Sequence, residues 1–196
     1  QLAILASRKV SSRLAEDAEI LSVVDAQDRV VGERRRDDVH RLGLCHRAVH
    51  VLVFDFLGRL FLQQRGLHKF EHPGLWDSSV AGHVDAGETY DACCLREVRE
   101  EVGLQLSDIP ERLFKLEASR VTGMEFCWVY RVVTDQPLEP DLAEMESGQW
   151  FTQEEVQSWV EHGADQLTGV FILIWLTYCR RRLSRLRPPA GERVDY

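Results

Sequence analysis

Short apolar runs separated by polar turns predict a series of strands in the first two thirds of the chain. We expect strands at about residues 19–24, 48–56, 59–64, 77–83, 112–119 and 125–134. A turn at residues 25–28 and a second short strand follow the first run, which predicts an N-terminal β-hairpin. Helices are expected from about Thr152 and through the apolar stretch 170–179. The pattern predicts an α/β/α sandwich with a mixed central sheet.

A further helix is predicted between Thr89, which is suited to cap its N-terminus, and Gly103, which is suited to a left-handed C-terminal cap. At about 100° per residue, Glu97, Glu100 and Glu101 fall on one face, and apolar residues cluster on nearly the opposite side. Carboxylates on adjacent turns repel one another unless water or a hard divalent cation neutralises them. An acidic face that is merely solvated is the alternative interpretation.

The residues before this helix favour metal-assisted phosphate chemistry. Gly82 lets the backbone approach a ligand and can offer its carbonyl to a metal, and Gly87 permits a tight turn into the helix. Glu88 and Arg96 are predicted to pair and to hold the loop against the helix. Arg96 would then orient the carboxylates without touching the substrate.

Residues 82–104, GHVDAGETYDACCLREVREEVGL, resemble the signature segment of the Nudix hydrolases at every defining position. The resemblance implies Mg²⁺ or Mn²⁺ as the cofactor and cleavage of a diphosphate that is linked to another group. It implies metal binding by Glu97, Glu100, Glu101 and the Gly82 carbonyl, with Glu88 and Arg96 as the supporting pair. One of the glutamates would serve as the general base. Glu144 is a further catalytic candidate, with a polar loop before a strand as the alternative.

Candidates for substrate binding lie on both sides of this segment. Arg65 ends a predicted strand and Lys69 follows it, with ordinary surface charge as the alternative for both. His83 adjoins Gly82 and is expected to face the substrate. Trp76 is suited either to stack on a base or to fill the core.

The span from His40 to about Trp150 also resembles isopentenyl diphosphate isomerase, a relative with the same fold. This resemblance implies metal binding by His40, His46 and His83 and a catalytic role for Glu125, although a buried histidine in an apolar run is equally typical of a core. Over about residues 19–180 the chain is most similar to isomerase-like Nudix hydrolases.

Two departures from the isomerase favour hydrolysis. Ala81 stands where the isomerase has a cysteine that moves a proton on carbon, and the acidic signature segment, which is degraded in the isomerase, is intact here. A non-catalytic, nucleotide-sensing Nudix domain is a third hypothesis, which the intact Glu97, Glu100 and Glu101 disfavour. The order of preference is hydrolase, sensor and isomerase. Nucleoside diphosphates, dinucleotides, prenyl diphosphates and capped RNA all stay open as substrates.

Length and composition predict one catalytic domain. The chain has 196 residues and 44% hydrophobic content, so we expect a domain at 19–187, a flexible segment at 1–18 and a tail at 188–196. The formal net charge of −8 argues against a stable nucleic-acid complex. The resemblance to the Nudix hydrolases implies a small-molecule diphosphate as the partner. A homodimer is possible.

The cysteines and the apolar stretches bear on location. Five cysteines without a CxxC pair predict neither a disulfide framework nor a zinc site and suit a cytoplasmic protein. The apolar stretch 170–179 is too short to span a membrane and predicts a packed terminal helix.

Overall fold

The computed structural model describes residues 19–69 and 71–186. The predicted flexible segment at 1–18 and the tail at 188–196 lie outside the described residues, and the domain limits of 19–187 stay a prediction. The strands are β1 (Ile20–Val24), β2 (Val30–Arg35), β3 (His46–Phe54), β4 (Leu60–Arg65), β5 (Trp76–Asp77), β6 (Val80–His83), β7 (Glu111–Leu116), β8 (Glu125–Val133) and β9 (Met145–Phe151). The α-helices are α1 (Arg36–Leu42), α2 (Tyr90–Val102), α3 (Gln153–His162) and α4 (Gly169–Leu186).

Strands β1 and β2 pair antiparallel and form the N-terminal hairpin that the sequence predicted. Asp28, in its turn, adopts a φ of 59°, a conformation that aspartate tolerates better than most residues. The Asp28 carboxylate accepts hydrogen bonds from Arg47 of β3 and Tyr90 of α2 and pairs with Lys115 of β7. The hairpin turn is therefore attached by side chains to three elements of the main domain.

The central sheet has seven strands in the order β5-β4-β3-β8-β7, with β6 also paired to β3 and β9 also paired to β4. Strands β3 and β8 run parallel over their whole length, from the pair His46–Glu125 to the pair Phe54–Val133. The other pairs in this sheet are antiparallel. The sheet is mixed, as predicted.

Apolar residues cover both faces of this sheet, because successive side chains of β3 point to opposite sides. Val49, Val51 and Val53 pack on the face that α2 covers with residues such as Val98. On the other face, buried β3 residues such as Leu52 pack against α3 and α4. These layers confirm the α/β/α sandwich. No helix in the described ranges has the length and apolarity to cross a membrane.

The strand predicted at 77–83 is instead two short strands, β5 and β6, and Ser78 and Ser79 separate them. Strand β5 pairs with β4, whereas β6 pairs with β3. The Ser79 hydroxyl accepts from the Val53 amide at 2.8 Å and donates to the Phe61 carbonyl at 2.5 Å. The Ser79 side chain thus satisfies two backbone groups at the point where the chain leaves β5, beside β4, and enters β6, beside β3.

Candidate active site

Helix α2 begins and ends where the sequence predicted. The Thr89 hydroxyl accepts a hydrogen bond from the Ala92 amide at 3.2 Å, and Gly103 adopts a φ of 72° as the C-terminal cap. Val98 and Val102 are buried against the sheet, which turns the acidic face toward a cavity. The helix therefore presents Glu97, Glu100 and Glu101 on a packed, capped support.

Strand β6 brings Gly82 against this acidic face. The Glu97 side chain occupies the space that a Cβ atom at position 82 would fill. Gly82, Glu97, Glu100 and Glu101 all line the same cavity, as the sequence predicted for one site.

Arg96 forms two hydrogen bonds with Glu88, from Nε to Oε1 at 3.0 Å and from Nη2 to Oε2 at 2.9 Å. Its Nη1 atom donates to Glu97 at 2.6 Å and lies 3.3 Å from Glu100, and Nη2 donates to the His83 carbonyl at 3.1 Å. One guanidinium therefore fixes the loop before α2, the end of β6 and two of the glutamates. This geometry agrees with the orienting role predicted for Arg96.

Two of the three glutamates are largely withdrawn from water. Burial raises the pKa of Glu97 to about 7, against the opposing effect of Arg96. Burial, and then the neighbouring Glu97, raise the pKa of Glu101 well above its usual range. The Glu101 carboxylate accepts a hydrogen bond from Gln63 of β4 at 2.9 Å. Glu100 is more exposed, with 49% of its side-chain surface accessible.

This donor set fits a hard divalent cation. Carboxylate oxygens and a backbone carbonyl are the ligands that Mg²⁺ and similar ions prefer, and a bound cation would offset the cost of crowding the carboxylates together. Glu97, Glu100, Glu101 and the Gly82 carbonyl are the groups that would hold it. Gln63, which was not singled out from the sequence, supports Glu101 from the sheet.

The cavity has a volume of about 460 Å³, and Arg65, Lys69, His83, Glu125 and Glu144 also line it. Arg65 is the last residue of β4, as expected, and its guanidinium lies 3.5 Å from Asp77. Lys69 pairs with Glu144 at 2.5 Å. These two cations come from β4 and the segment that follows it, whereas the cluster of carboxylates comes from α2. All of these side chains line the same cavity.

Trp76 lies elsewhere, within an aromatic cluster on the other face of the sheet. Its ring centroid is 5.4 Å from that of Phe151 in β9 and 5.5 Å from that of Trp159 in α3, and both rings pack against the core between the sheet and helices α3 and α4. The described residues that line the cavity do not include Trp76. This placement corresponds to the core alternative and does not support the predicted stacking of Trp76 on a base.

Three histidines converge beside the acidic cluster. The ring centroids of His40, His46 and His83 lie 5.0–5.1 Å apart, and one ligand atom from each lies within 4.8 Å of the others. Helix α1, which the sequence analysis did not predict, supplies His40. Gly43 caps the C-terminus of this short helix with a φ of 61°, and a glycine at that position is the sequence signal that could have indicated the helix.

Hydrogen bonding leaves a lone pair on His46 directed at an acidic group. Nδ1 of His46 donates to the Leu44 carbonyl at 2.9 Å, so in the neutral ring Nε2 is an acceptor. Nε2 is buried, accepts no hydrogen bond from any residue that the structure describes, and lies 3.5 Å from a Glu125 oxygen. Two acceptors face each other there unless a proton or a cation lies between them. Burial lowers the pKa of His83 to about 3, so its ring is neutral near pH 7 and Nε2 donates to Glu125 at 3.1 Å.

The sequence pattern of the NUDIX domain family matches residues 45–169, which contain all seven strands of the central sheet and all of α2. The chain belongs to the Nudix family. Its membership and its relatives support an enzyme of the pyrophosphohydrolase class.

Three similar proteins illustrate the range of the family. An uncharacterized Nudix hydrolase from Nostoc sp. is 31% identical over 169 residues, which cover 84% of this chain and 99% of that protein. An isopentenyl-diphosphate Delta-isomerase from Streptomyces avermitilis is also 31% identical, over 92% of this chain and 93% of that protein. The crystal structure of DR0079 from Deinococcus radiodurans has a TM-score of 0.72 at 27% identity and covers 81% of this chain and 98% of that one. Equal identity to a hydrolase and an isomerase leaves the choice of reaction to the site itself.

Proposed function

We propose that this protein hydrolyses a diphosphate bond in a nucleoside diphosphate-linked or other organic diphosphate, with Mg²⁺ or Mn²⁺ as the cofactor. The observation that carries the proposal is the convergence of Glu97, Glu100, Glu101 and the Gly82 backbone on one cavity. Two of these carboxylates are held largely out of water with raised pKa values, which is unfavourable without a compensating cation.

The side chains divide the work between positioning and binding. A metal ion held by this cluster would supply charge neutralisation of the phosphoryl oxygens and a more acidic bound water. Arg96 and Glu88 position the carboxylates, Arg65 and Lys69 bind the anionic phosphates, and His83 and Glu125 complete the wall facing the substrate. Glu100, Glu101 and Glu144 are the candidates for the general base that accepts the proton of the attacking water.

Isomerisation of a diphosphate is an alternative candidate, and the histidine cluster is the observation that favours it. His46 and His83 both contact Glu125. Against it, Ala81 lines the cavity and carries no group able to move a proton on carbon. The intact carboxylate cluster likewise disfavours a domain that only senses a nucleotide. Hydrolysis therefore ranks first.

The same histidines support a second proposed metal position, formed by His40, His46 and His83. We expect the wild-type protein to bind one more Mn²⁺ per chain than His40→Asn, measured by equilibrium dialysis. The exposed His162 provides the matched control His162→Asn, which should keep the wild-type stoichiometry. Equal stoichiometry in all three proteins would rule the second position out.

The decisive experiment is a substrate panel with Mg²⁺ or Mn²⁺. Nucleoside diphosphates, nucleoside triphosphates, dinucleotides and prenyl diphosphates are incubated with the protein, and released phosphate and product masses are followed. Glu100→Gln should lose turnover, whereas Glu154→Gln, a change at an exposed residue of α3, should keep it. A prenyl diphosphate converted without change of mass would replace hydrolysis by isomerisation, and binding without turnover would replace it by sensing.

The remaining proposals concern the surroundings of the enzyme. We keep a small-molecule diphosphate as the partner, a cytoplasmic location and no stable nucleic-acid complex as predictions. Size-exclusion chromatography with light scattering would test the possible homodimer.

A further inference from the structure

The loop between β7 and β8 forms one wall of the cavity and has a well-defined internal structure. Thr122 is buried, and its hydroxyl accepts from the Ser119 amide at 2.9 Å and contacts the Ser119 carbonyl at 3.1 Å. Gly123 and Met124 both adopt positive φ angles, and the Met124 amide donates to the Ser119 carbonyl at 2.7 Å. The loop is therefore held in one shape from within.

This loop presents Arg120 to the cavity. Among the described residues, five arginine or lysine side chains line that space, namely Arg36, Arg65, Lys69, Arg96 and Arg120. The first four pair with Glu19, Asp77, Glu144 and Glu88, at 3.5, 3.5, 2.5 and 2.9 Å. Within residues 19–69 and 71–186, no hydrogen bond or ion pair engages the guanidinium of Arg120.

The partners of the other cations matter because an anionic ligand must compete with them. A carboxylate already bonded to Arg36 or Lys69 neutralises much of the charge that a phosphate would meet. Arg120 is exposed and lines the cavity without such a carboxylate partner among the described residues, so it has no ion pair there to lose when it binds an anion. Its fixed loop also lowers the entropy lost on binding.

A short series of contacts links this loop to the proposed metal cluster. A Cβ atom at Gly123 would lie 3.8 Å from Oε1 of Glu125, and Glu125 bonds His83, the neighbour of Gly82 in β6. The loop that carries Arg120 thus adjoins the histidine side of the cluster, whereas Arg65 and Lys69 belong to β4 and the segment after it. A diphosphate held at the carboxylates would share the cavity with cations from two separate parts of the chain.

We propose that Arg120 determines substrate specificity by binding an anionic group that lies beyond the diphosphate held at the carboxylate cluster, such as the third phosphate of a triphosphate. This inference rests on the proposed function. The enzyme would then select chains of three or more phosphates over simple diphosphates. Arg120 has no part in holding the metal or activating water.

The kinetic test compares a nucleoside triphosphate with the corresponding diphosphate. Arg120→Gln should raise KM for the triphosphate about 10- to 100-fold, the loss typical of a hydrogen bond between charged groups, with kcat and the KM of the diphosphate nearly unchanged. Arg120→Lys should keep part of the affinity because it keeps the charge. Arg34→Gln, at an exposed residue of β2, is the matched control and should behave as the wild type.

A binding test separates this proposal from the hydrolase proposal. Inorganic tripolyphosphate and pyrophosphate are titrated calorimetrically in Ca²⁺, which shares the preference for oxygen ligands. The wild type should bind tripolyphosphate more tightly than pyrophosphate, and Arg120→Gln should abolish that difference even if no substrate is turned over. An unchanged difference, or an equal loss for both ligands, would overturn the role of Arg120. If the wild type prefers tripolyphosphate, Arg120→Gln loses that preference and the substrate panel shows no turnover, hydrolysis alone is overturned.

Discussion

The carboxyl carbon of Glu97 lies 2.1 Å from the point where a Cβ atom of residue 82 would stand, so only glycine leaves room for this side chain. We expect Gly82→Ala to displace the Glu97 carboxylate from the cluster. Because the displaced atoms are the end of a flexible side chain, the cost in stability should be only about 1 kcal/mol. Metal affinity should fall about 10- to 100-fold, as when the geometry of a metal site is disturbed.

Gly32 provides the control for this substitution, since a Cβ atom there meets nothing within 4 Å. Calorimetric Mn²⁺ titrations of Gly82→Ala, Gly32→Ala and the wild type, beside their thermal unfolding curves, check the prediction. Wild-type metal affinity in Gly82→Ala would show that the contact between Gly82 and Glu97 has no bearing on the cluster.

Arg96→Lys should weaken metal binding although it keeps the positive charge. A lysine ammonium cannot reproduce the two hydrogen bonds that Arg96 makes with Glu88 while it also contacts Glu97. We expect a loss of about 10- to 100-fold in metal affinity, as for other groups that orient metal ligands. Calorimetric Mn²⁺ titration measures it.

Arg99→Lys is the matched control, because Arg99 lies on the same helix with 61% of its side-chain surface exposed and only reaches Glu100 at 3.5 Å. The metal affinity of Arg99→Lys should lie within about twofold of the wild-type value, because an exposed ion pair contributes little. Wild-type metal affinity in Arg96→Lys would mean that charge alone, and not the paired hydrogen bonds of Arg96, supports the cluster. Equal losses in both variants would mean that the effect is not specific to Arg96.

The local part of the site was predictable from the sequence because its geometry depends on spacing within one loop and one helix. Thr89 and Gly103 cap α2 as expected, and helical periodicity places Glu97, Glu100 and Glu101 together. The pair of Glu88 and Arg96, which is also local, was predicted and is present.

The parts of the site that depend on the order of the strands in the sheet were harder to predict from the sequence. Gln63 reaches Glu101 only because β4 lies beside β3 in the sheet, and 38 residues separate the two in the chain. The role of Ser79 depends on its position between β5, which pairs with β4, and β6, which pairs with β3. A pattern of apolar residues along the chain cannot reveal this position. Trp76 illustrates the same difficulty, since its type suits both a base-stacking surface and the aromatic core where it lies.

Ser79→Ala should destabilise the fold without touching the carboxylate cluster. The change leaves the buried Val53 amide and Phe61 carbonyl without the hydroxyl that now joins them. Leaving such groups unpaired costs about 3 kcal/mol, which urea unfolding followed by circular dichroism measures. Ser158→Ala, at an exposed position of α3, should change stability by less than about 0.5 kcal/mol. Equal stability of the two variants would mean that other groups satisfy the backbone there.

Asp28→Asn should lower stability at neutral pH, and the difference from the wild type should vanish in acid. Burial opposes ionisation of Asp28, but contacts with Lys115, Arg47 and Tyr90 outweigh it and lower its pKa below the ordinary 3.8. A lowered pKa in the folded state adds stability that is fully present above pH 3.8 and is lost as the pH falls through the folded-state value.

Asparagine tolerates the positive φ at position 28, so this variant removes the charge and largely keeps the turn. We expect a loss of about 2 kcal/mol at pH 7, from hydrogen bonds to charged groups. Urea unfolding between pH 7 and pH 2 should show the two stability curves converging below pH 3.8, whereas Asp108→Asn at an exposed site should follow the wild type throughout. A difference that stays constant down to pH 2 would show that the ionised carboxylate of Asp28 does not anchor the hairpin.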